Sequence, residues 1–176
     1  MLGVGQKFPS FSLKATISTK QNEEFITITD EANRDSWAVF FFWPMDFTFV
    51  CPTEIAAFGN KHEAFKKLGA HLYGASIDSE YVHLAWRKEN ASLKNLPFPM
   101  LADVKRGLST ALGILDPNAG VSQRATFITD PQGIIRFASV TDLNVGRNVD
   151  EVLRVLEALQ NGGLCPCNWQ PGEATL

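Results

Sequence analysis

The chain has 176 residues, of which 45% are hydrophobic and 20% charged, and carries a net charge of −3. This is the profile of a soluble globular protein long enough to bury a sizeable core. It contains no basic stripe and no apolar run of membrane-spanning length, which argues against nucleic acid, an anionic membrane surface or the bilayer as partners.

The N-terminus, Met1–Lys7, lacks the apolar stretch and small-residue cleavage site of a secretory signal, so a cytoplasmic location is expected. Residues 1–24 are mixed and loop-rich, with room for a short hairpin. Phe25–Thr29 alternates and is β-branched, the pattern of a short strand. Trp37–Trp43 is a continuous apolar run and reads as a buried central strand. Helical spacing follows at Ile55, Phe58, Phe65 and Leu68, with Gly69 as the stop. Leu72–Ile77 reads as the next buried strand. Asp78 or Ser79 then caps a helix running to about Glu89, and Asp103 opens another that ends near Gly113. Arg124–Thr129 and Ile134–Ala138 flank the turn Asp130-Pro131-Gln132-Gly133, the signature of an antiparallel pair. Val149, Val152, Leu153, Val155, Leu156 and Leu159 form one apolar helical stripe that ends at Asn161-Gly162-Gly163.

This order predicts an α/β protein with a central mixed sheet flanked by helices, thioredoxin-like in outline. Residues 1–163 are expected to form the domain. Residues 164–176 form a tail without periodicity, lying on the surface or against a neighbouring subunit.

Three cysteines are too few, and odd in number, for a structural disulfide framework, and point instead to reactive thiols. Cys51 follows the central strand and stands at the start of a helix. Helix N-termini gather free N–H groups and the positive end of the dipole, which favours thiolate over thiol. The plain alternative is a buried structural cysteine. Thr48, three residues earlier, either caps the helix or hydrogen-bonds the sulfur or a substrate oxygen. Pro44 and Pro52 stiffen the two ends of the loop, and Pro52 suits the first helical turn. Arg124, beside a turn, is either a cationic partner for the thiol or an exposed strand-end arginine. Glu54 at the helix start either serves the site or complements the dipole. In the tail, Cys165-Pro166-Cys167 suits thiol–disulfide exchange. Zinc competes for such a pair but requires two further ligands, and His62, His71 and His83 lack matching spacing.

Several dispersed segments resemble the peroxiredoxins. Pro44-x-x-x-Thr48-x-x-Cys51 is similar to their active-site signature, and Phe47–Glu54 to that of the typical two-cysteine branch, which includes the peroxidase component of alkyl hydroperoxide reductase. Ser76–Ser79 with His83-x-x-Trp86, Asn95–Pro99, Arg124 before Thr126-Phe127-Ile128, Val145–Arg154 and Cys165-Pro166-x-x-Trp169-x-Pro171-Gly172 extend the likeness along almost the whole chain. The resemblance implies a thioredoxin-like fold with peroxiredoxin N- and C-terminal extensions. It implies that Cys51 attacks hydrogen peroxide or an alkyl hydroperoxide and becomes a sulfenic acid. Thr48 and Arg124 would then orient the peroxide, Pro44 would shield the sulfur, and Glu54 and Arg147 would support Arg124. Cys165 matches the resolving cysteine, supplied by the partner subunit, so the product would be an intersubunit Cys51–Cys165 disulfide reduced by a separate reductase or thioredoxin-like protein. Homodimers and ring-shaped decamers are implied; a metal, haem or flavin is not.

The chain departs from the family pattern at Cys167, an extra thiol that leaves open which tail cysteine resolves. It also lacks a Gly-Gly-Leu-Gly segment and a Tyr-Phe tail, from which resistance to overoxidation is expected. A holdase chaperone or peroxide sensor is the competing function.

Overall fold

In the computed structural model, which describes residues 1–176, the apolar run after Ser36 becomes the middle of a seven-stranded sheet. The strands are β1 (Ser12–Thr16), β2 (Phe25–Thr29), β3 (Trp37–Phe42), β4 (Ala70–Ser76), β5 (Met100–Ala102), β6 (Arg124–Thr129) and β7 (Ile135–Thr141). The helices are α1 (Cys51–Asn60), α2 (His62–Lys67), α3 (Glu80–Glu89), α4 (Gly107–Leu112) and α5 (Val149–Asn161). Strand order is β2-β1-β5-β4-β3-β6-β7. Pairing is parallel for β3–β4 and β4–β5 and antiparallel elsewhere, so the sheet is mixed, as expected.

Strand β3 is apolar throughout because both of its faces are covered. Val39, Phe41 and Trp43 face a core built with Phe58, Phe65, Trp86 and Leu156, whereas Ala38, Phe40 and Phe42 face a second core with Phe8, Phe11, Leu108 and Leu112. Phe41 stacks on Phe58 with ring centroids 3.9 Å apart, and Phe40 stacks on Phe8 at 4.3 Å. These packed rings hold the C-terminal end of β3, from which the Cys51 loop departs, in a fixed position.

Several elements differ from the sequence expectation. The hairpin is made by β1 with β2 across residues 17–24 rather than within residues 1–24. The helix after Cys51 breaks at Lys61, next to Gly59 and Asn60, two weak helix formers. Asp103 does not open α4. A turn intervenes with Arg106 at φ 57°, and the Asp103 carboxylate reaches over it to accept from the backbone N–H groups of Leu108 and Ser109. Strand β5 lay unseen between Pro99 and Asp103 because three residues carry no legible period. The tail folds onto its own α5, with Trp169 buried. Arg87 is buried too and ties α3 to the carbonyls of Thr16 and Leu96; burial lowers its pKa to about 10. No helix is long and apolar enough to cross a membrane.

Gly74 marks the tightest approach in the main core. A Cβ there would lie 2.7 Å from Trp43 Cζ3 and 2.9 Å from Phe41 Cζ. The Trp43 indole is tethered by its own hydrogen bond to Asp46 Oδ1, at 2.8 Å, so it cannot swing aside freely. Gly74→Ala is expected to cost about 1–3 kcal/mol, the range for overpacking a filled core. Urea denaturation checks this, and an unchanged midpoint would show that the rings can move.

Candidate active site

Cys51 is the first residue of α1 and is fully buried. Pro52 lies in the first turn, where its missing N–H breaks no helical bond. No side chain caps α1. Thr48 is therefore not a helix cap: its Oγ1 lies 2.8 Å from Cys51 Sγ and 3.2 Å from the Met45 carbonyl. One hydroxyl proton cannot serve both acceptors. With a thiol, Cys51 donates to Thr48 Oγ1, and Thr48 donates to Met45. With a thiolate, the Thr48 proton turns to the sulfur. The threonine thus follows the charge state of Cys51 without moving a heavy atom.

The second donor comes from across the sheet. Arg124 opens β6, beside β3, and is 3% exposed, so the strand-end surface alternative does not hold. Its Nη1 donates to Cys51 Sγ at 3.3 Å and to Glu54 Oε2 at 2.6 Å, while Nε donates to the Leu143 carbonyl at 2.7 Å. Glu54, one turn after Cys51, is buried and bridges two guanidinium groups. From Arg147 it receives the backbone N–H at 2.8 Å, Nε at 2.8 Å and Nη2 at 3.0 Å. Burial by itself would raise the Glu54 pKa. The hydrogen bonds and charge of Arg147, joined by the charge of Arg124, outweigh burial and hold the carboxyl below its ordinary range. Arg147 Nη1 also donates to the Ala125 carbonyl at 2.7 Å, and its guanidinium lies 5.5 Å from the Phe41 ring centroid.

Sequence reasoning missed the support beneath the loop. Asp46 is buried and accepts from Trp43 Nε1, and its backbone N–H donates to Asp78 Oδ2 at 2.8 Å. Its Oδ2 lies 2.6 Å from Nδ1 of the fully buried His83, whose Nε2 faces the Leu101 carbonyl at 3.2 Å. Both ring nitrogens therefore face oxygen. Burial pushes the Asp46 carboxyl above its ordinary range, with the hydrogen bond to His83 pulling the other way. The anchored loop carries Phe47 at φ 58°, a left-handed conformation that costs a non-glycine residue roughly 1–2 kcal/mol. The segment Ser76–Ser79 with His83-x-x-Trp86 was the signal in the sequence, and it held Asp78 and His83 but not their partner Asp46.

The structure thus brings Cys51, Thr48, Arg124, Glu54 and Arg147 together. Pro44 is buried where β3 gives way to the loop. Cys165 and Cys167 stand apart on the tail: Cys165 is half-buried with Sγ 3.8 Å from the Ala158 carbonyl, and Cys167 is exposed. All three cysteines are free thiols, and no group of three or more His, Cys, Asp or Glu side chains could hold a metal ion.

Residues 4–138 match the AhpC/TSA family. The chain is 50% identical to alkyl hydroperoxide reductase C of Mycobacterium tuberculosis, covering all of this chain and 94% of that protein. It is 39% identical to a chloroplastic 2-Cys peroxiredoxin of Hordeum vulgare, covering 98% of this chain and 84% of the other. Among solved structures, Mycobacterium bovis AhpC superposes with a TM-score of 0.88 at 49% identity, covering 97% of this chain and 99% of that one. The reduced 2-Cys peroxiredoxin of Plasmodium vivax gives a TM-score of 0.92 at 33% identity, covering 99% and 93%. With the mixed sheet and the Cys51 geometry in place, these likenesses establish that the chain belongs to the AhpC/TSA family and is a thiol-dependent peroxidase of the peroxiredoxin type.

Proposed function

We propose that Cys51 is the peroxidatic thiol and that this chain reduces hydrogen peroxide and alkyl hydroperoxides in a cytoplasmic antioxidant role. The observation that carries the reading is a fully buried sulfur met by two donors, Thr48 Oγ1 at 2.8 Å and Arg124 Nη1 at 3.3 Å. The thiolate sulfur attacks the distal peroxide oxygen. The S–O bond forms as the O–O bond breaks, and the departing oxygen takes a proton to leave as water or alcohol. Thr48 and Arg124 stabilise the charge as it moves from sulfur to oxygen. Pro44 stiffens the loop and shields the sulfur from solvent. Glu54 and Arg147 position Arg124.

The sulfenic acid is then resolved by Cys165 of a second copy, giving Cys51–S–S–Cys165 and water, and an external dithiol reductant restores both thiols. Cys167 is a second candidate for this step. Association into homodimers, and of dimers into a ring, is what the family resemblance implies, and Phe49, 94% exposed beside the active site, is an apolar group that a partner would cover.

Cys51→Ser is expected to abolish peroxide turnover and the peroxide-induced covalent dimer on non-reducing gels. Persistence of both would sink the assignment, and a holdase activity surviving in this variant would reveal a separate chaperone role. Thr48→Val is expected to slow peroxide reduction by about 10²–10³-fold, the loss typical of one preorganised donor, with Thr48→Ser far milder. Equal rates for Val and Ser in peroxide-consumption assays would remove the hydroxyl from the mechanism.

Glu54→Gln leaves two buried guanidinium groups without a counter-charge and is expected to cost about 3–5 kcal/mol near neutral pH. Because the folded-state pKa of Glu54 is depressed, its stabilisation is fully present above its ordinary value of 4.5 and is lost as pH falls through the lower folded value. The stability gap between wild type and Glu54→Gln should therefore narrow in acid. A gap that widens below that value, measured by denaturant titration, would contradict the ion-pair account.

A further inference from the structure

The peroxide chemistry leaves unused an organised cluster on the face of α5 that lies beneath the tail. Glu151, Arg154 and Ala158 are spaced i, i+3 and i+7, so they share one face of the helix. Arg154 gives two hydrogen bonds to Glu151, Nε to Oε2 at 2.6 Å and Nη2 to Oε1 at 2.8 Å. Its remaining arm, Nη1, donates to the Trp169 carbonyl at 2.9 Å. Trp169 is only 3% exposed, although it sits in a tail of largely exposed residues, and its indole N–H donates to the Glu173 carbonyl at 3.0 Å. The far end is tied back as well, with Leu176 N–H on the Leu164 carbonyl at 2.9 Å. The segment carrying Cys165 and Cys167 is therefore held at both ends, by the end of α5 and by the Trp169 anchor. Cys165 Sγ rests 3.8 Å from the Ala158 carbonyl, one turn along α5 from Arg154. The pKa of Arg154 is raised, chiefly by its hydrogen bond to Glu151 and also by the charge of Glu151.

We propose that Arg154 is a positioning residue for the resolving step: its clamp on Trp169 holds the Cys165–Cys167 segment on α5, from which a tail thiol meets the Cys51 sulfenic acid. The proposal rests on the reading of a tail thiol as resolving partner. In that step the tail thiolate attacks the Cys51 sulfur, the S–S bond forms, the S–O bond breaks, and hydroxide leaves to become water. No further oxidant is needed. A docked segment loses less freedom on reaching the reactive geometry than a free one.

The test uses the full chain as wild type, Arg154→Gln, Arg154→Lys and Trp169→Ala, each mixed rapidly with one equivalent of hydrogen peroxide. Sulfenic acid formation at Cys51, trapped with a dimedone reagent, should be as fast in Arg154→Gln as in wild type, which also shows that the variant is folded. Disulfide formation on quenched non-reducing gels should slow about tenfold or more, the worth of a charge-assisted hydrogen bond. In a parallel run with excess peroxide, which supplies the second oxidising equivalent, sulfinic Cys51 should accumulate on mass spectra. Arg154→Lys should recover part of the rate, and Trp169→Ala, which keeps the charge and removes the anchor, should also resolve slowly. Disulfide formation in Arg154→Gln at or above the wild-type rate overturns the proposal and leaves the resolving-thiol reading standing. Absence of any disulfide between Cys51 and the tail in the wild type overturns both.

Discussion

Glu54 places one buried carboxylate between two guanidinium groups, with Arg124 on Oε2 and Arg147 on both oxygens. Removing three charges from water is costly unless each finds a close partner. Here the count is unbalanced by one positive charge as long as Cys51 is a neutral thiol. A thiolate on Cys51, in contact with Arg124 Nη1, brings the four groups to electrical neutrality. The same network that keeps Arg124 out of solvent and aimed at the sulfur therefore leaves a vacancy for one negative charge. Thr48 completes the arrangement by turning a single proton toward whichever acceptor the charge state presents.

The scaffold explains why these groups can be held so closely. Strand β3 is apolar on both faces, so its position is fixed from two sides by stacked phenylalanines. The loop that leaves it is anchored again by Asp46, which is joined to Trp43, Asp78 and His83. This second anchorage sustains the left-handed backbone at Phe47 immediately before Thr48. Arg124 arrives on the neighbouring strand β6, and Glu54 one helical turn beyond the cysteine, so strand pairing and helix pitch set the spacing that the chemistry uses.

Elements with a strong period were readable in the sequence. The Trp37–Trp43 run, the Val149–Leu159 stripe and the turn at Asp130–Gly133 all emerged as expected, because burial on two faces, amphipathicity and glycine-bearing turns leave local marks. The short strand at Met100–Ala102 and the delayed start of α4 did not, since one depends on pairing with strands distant in sequence and the other on a carboxylate reaching over an intervening turn. In the site, Cys51 stood out by position. The choice between a capping and a sulfur-facing Thr48, or between a surface and a buried Arg124, required the fold. Asp46 and His83 were legible only in part, because a buried acid is defined by what surrounds it.

The thiol is also enclosed in a way that its proposed chemistry cannot tolerate for a whole cycle. Cys51 is fully buried on α1, while Cys165 rests on α5, and two sulfurs must approach to about 2 Å to form a bond. Oxidation must therefore be followed by opening of the first turn of α1 and of the loop before it, a local unfolding rather than a hinge movement. Hydrogen–deuterium exchange, followed by mass spectrometry on the reduced and the peroxide-generated disulfide forms, tests this most directly. The account predicts that amides in residues 49–56 lose protection in the disulfide form while those of β3 and β6 keep it. Equal protection of residues 49–56 in both forms would contradict it.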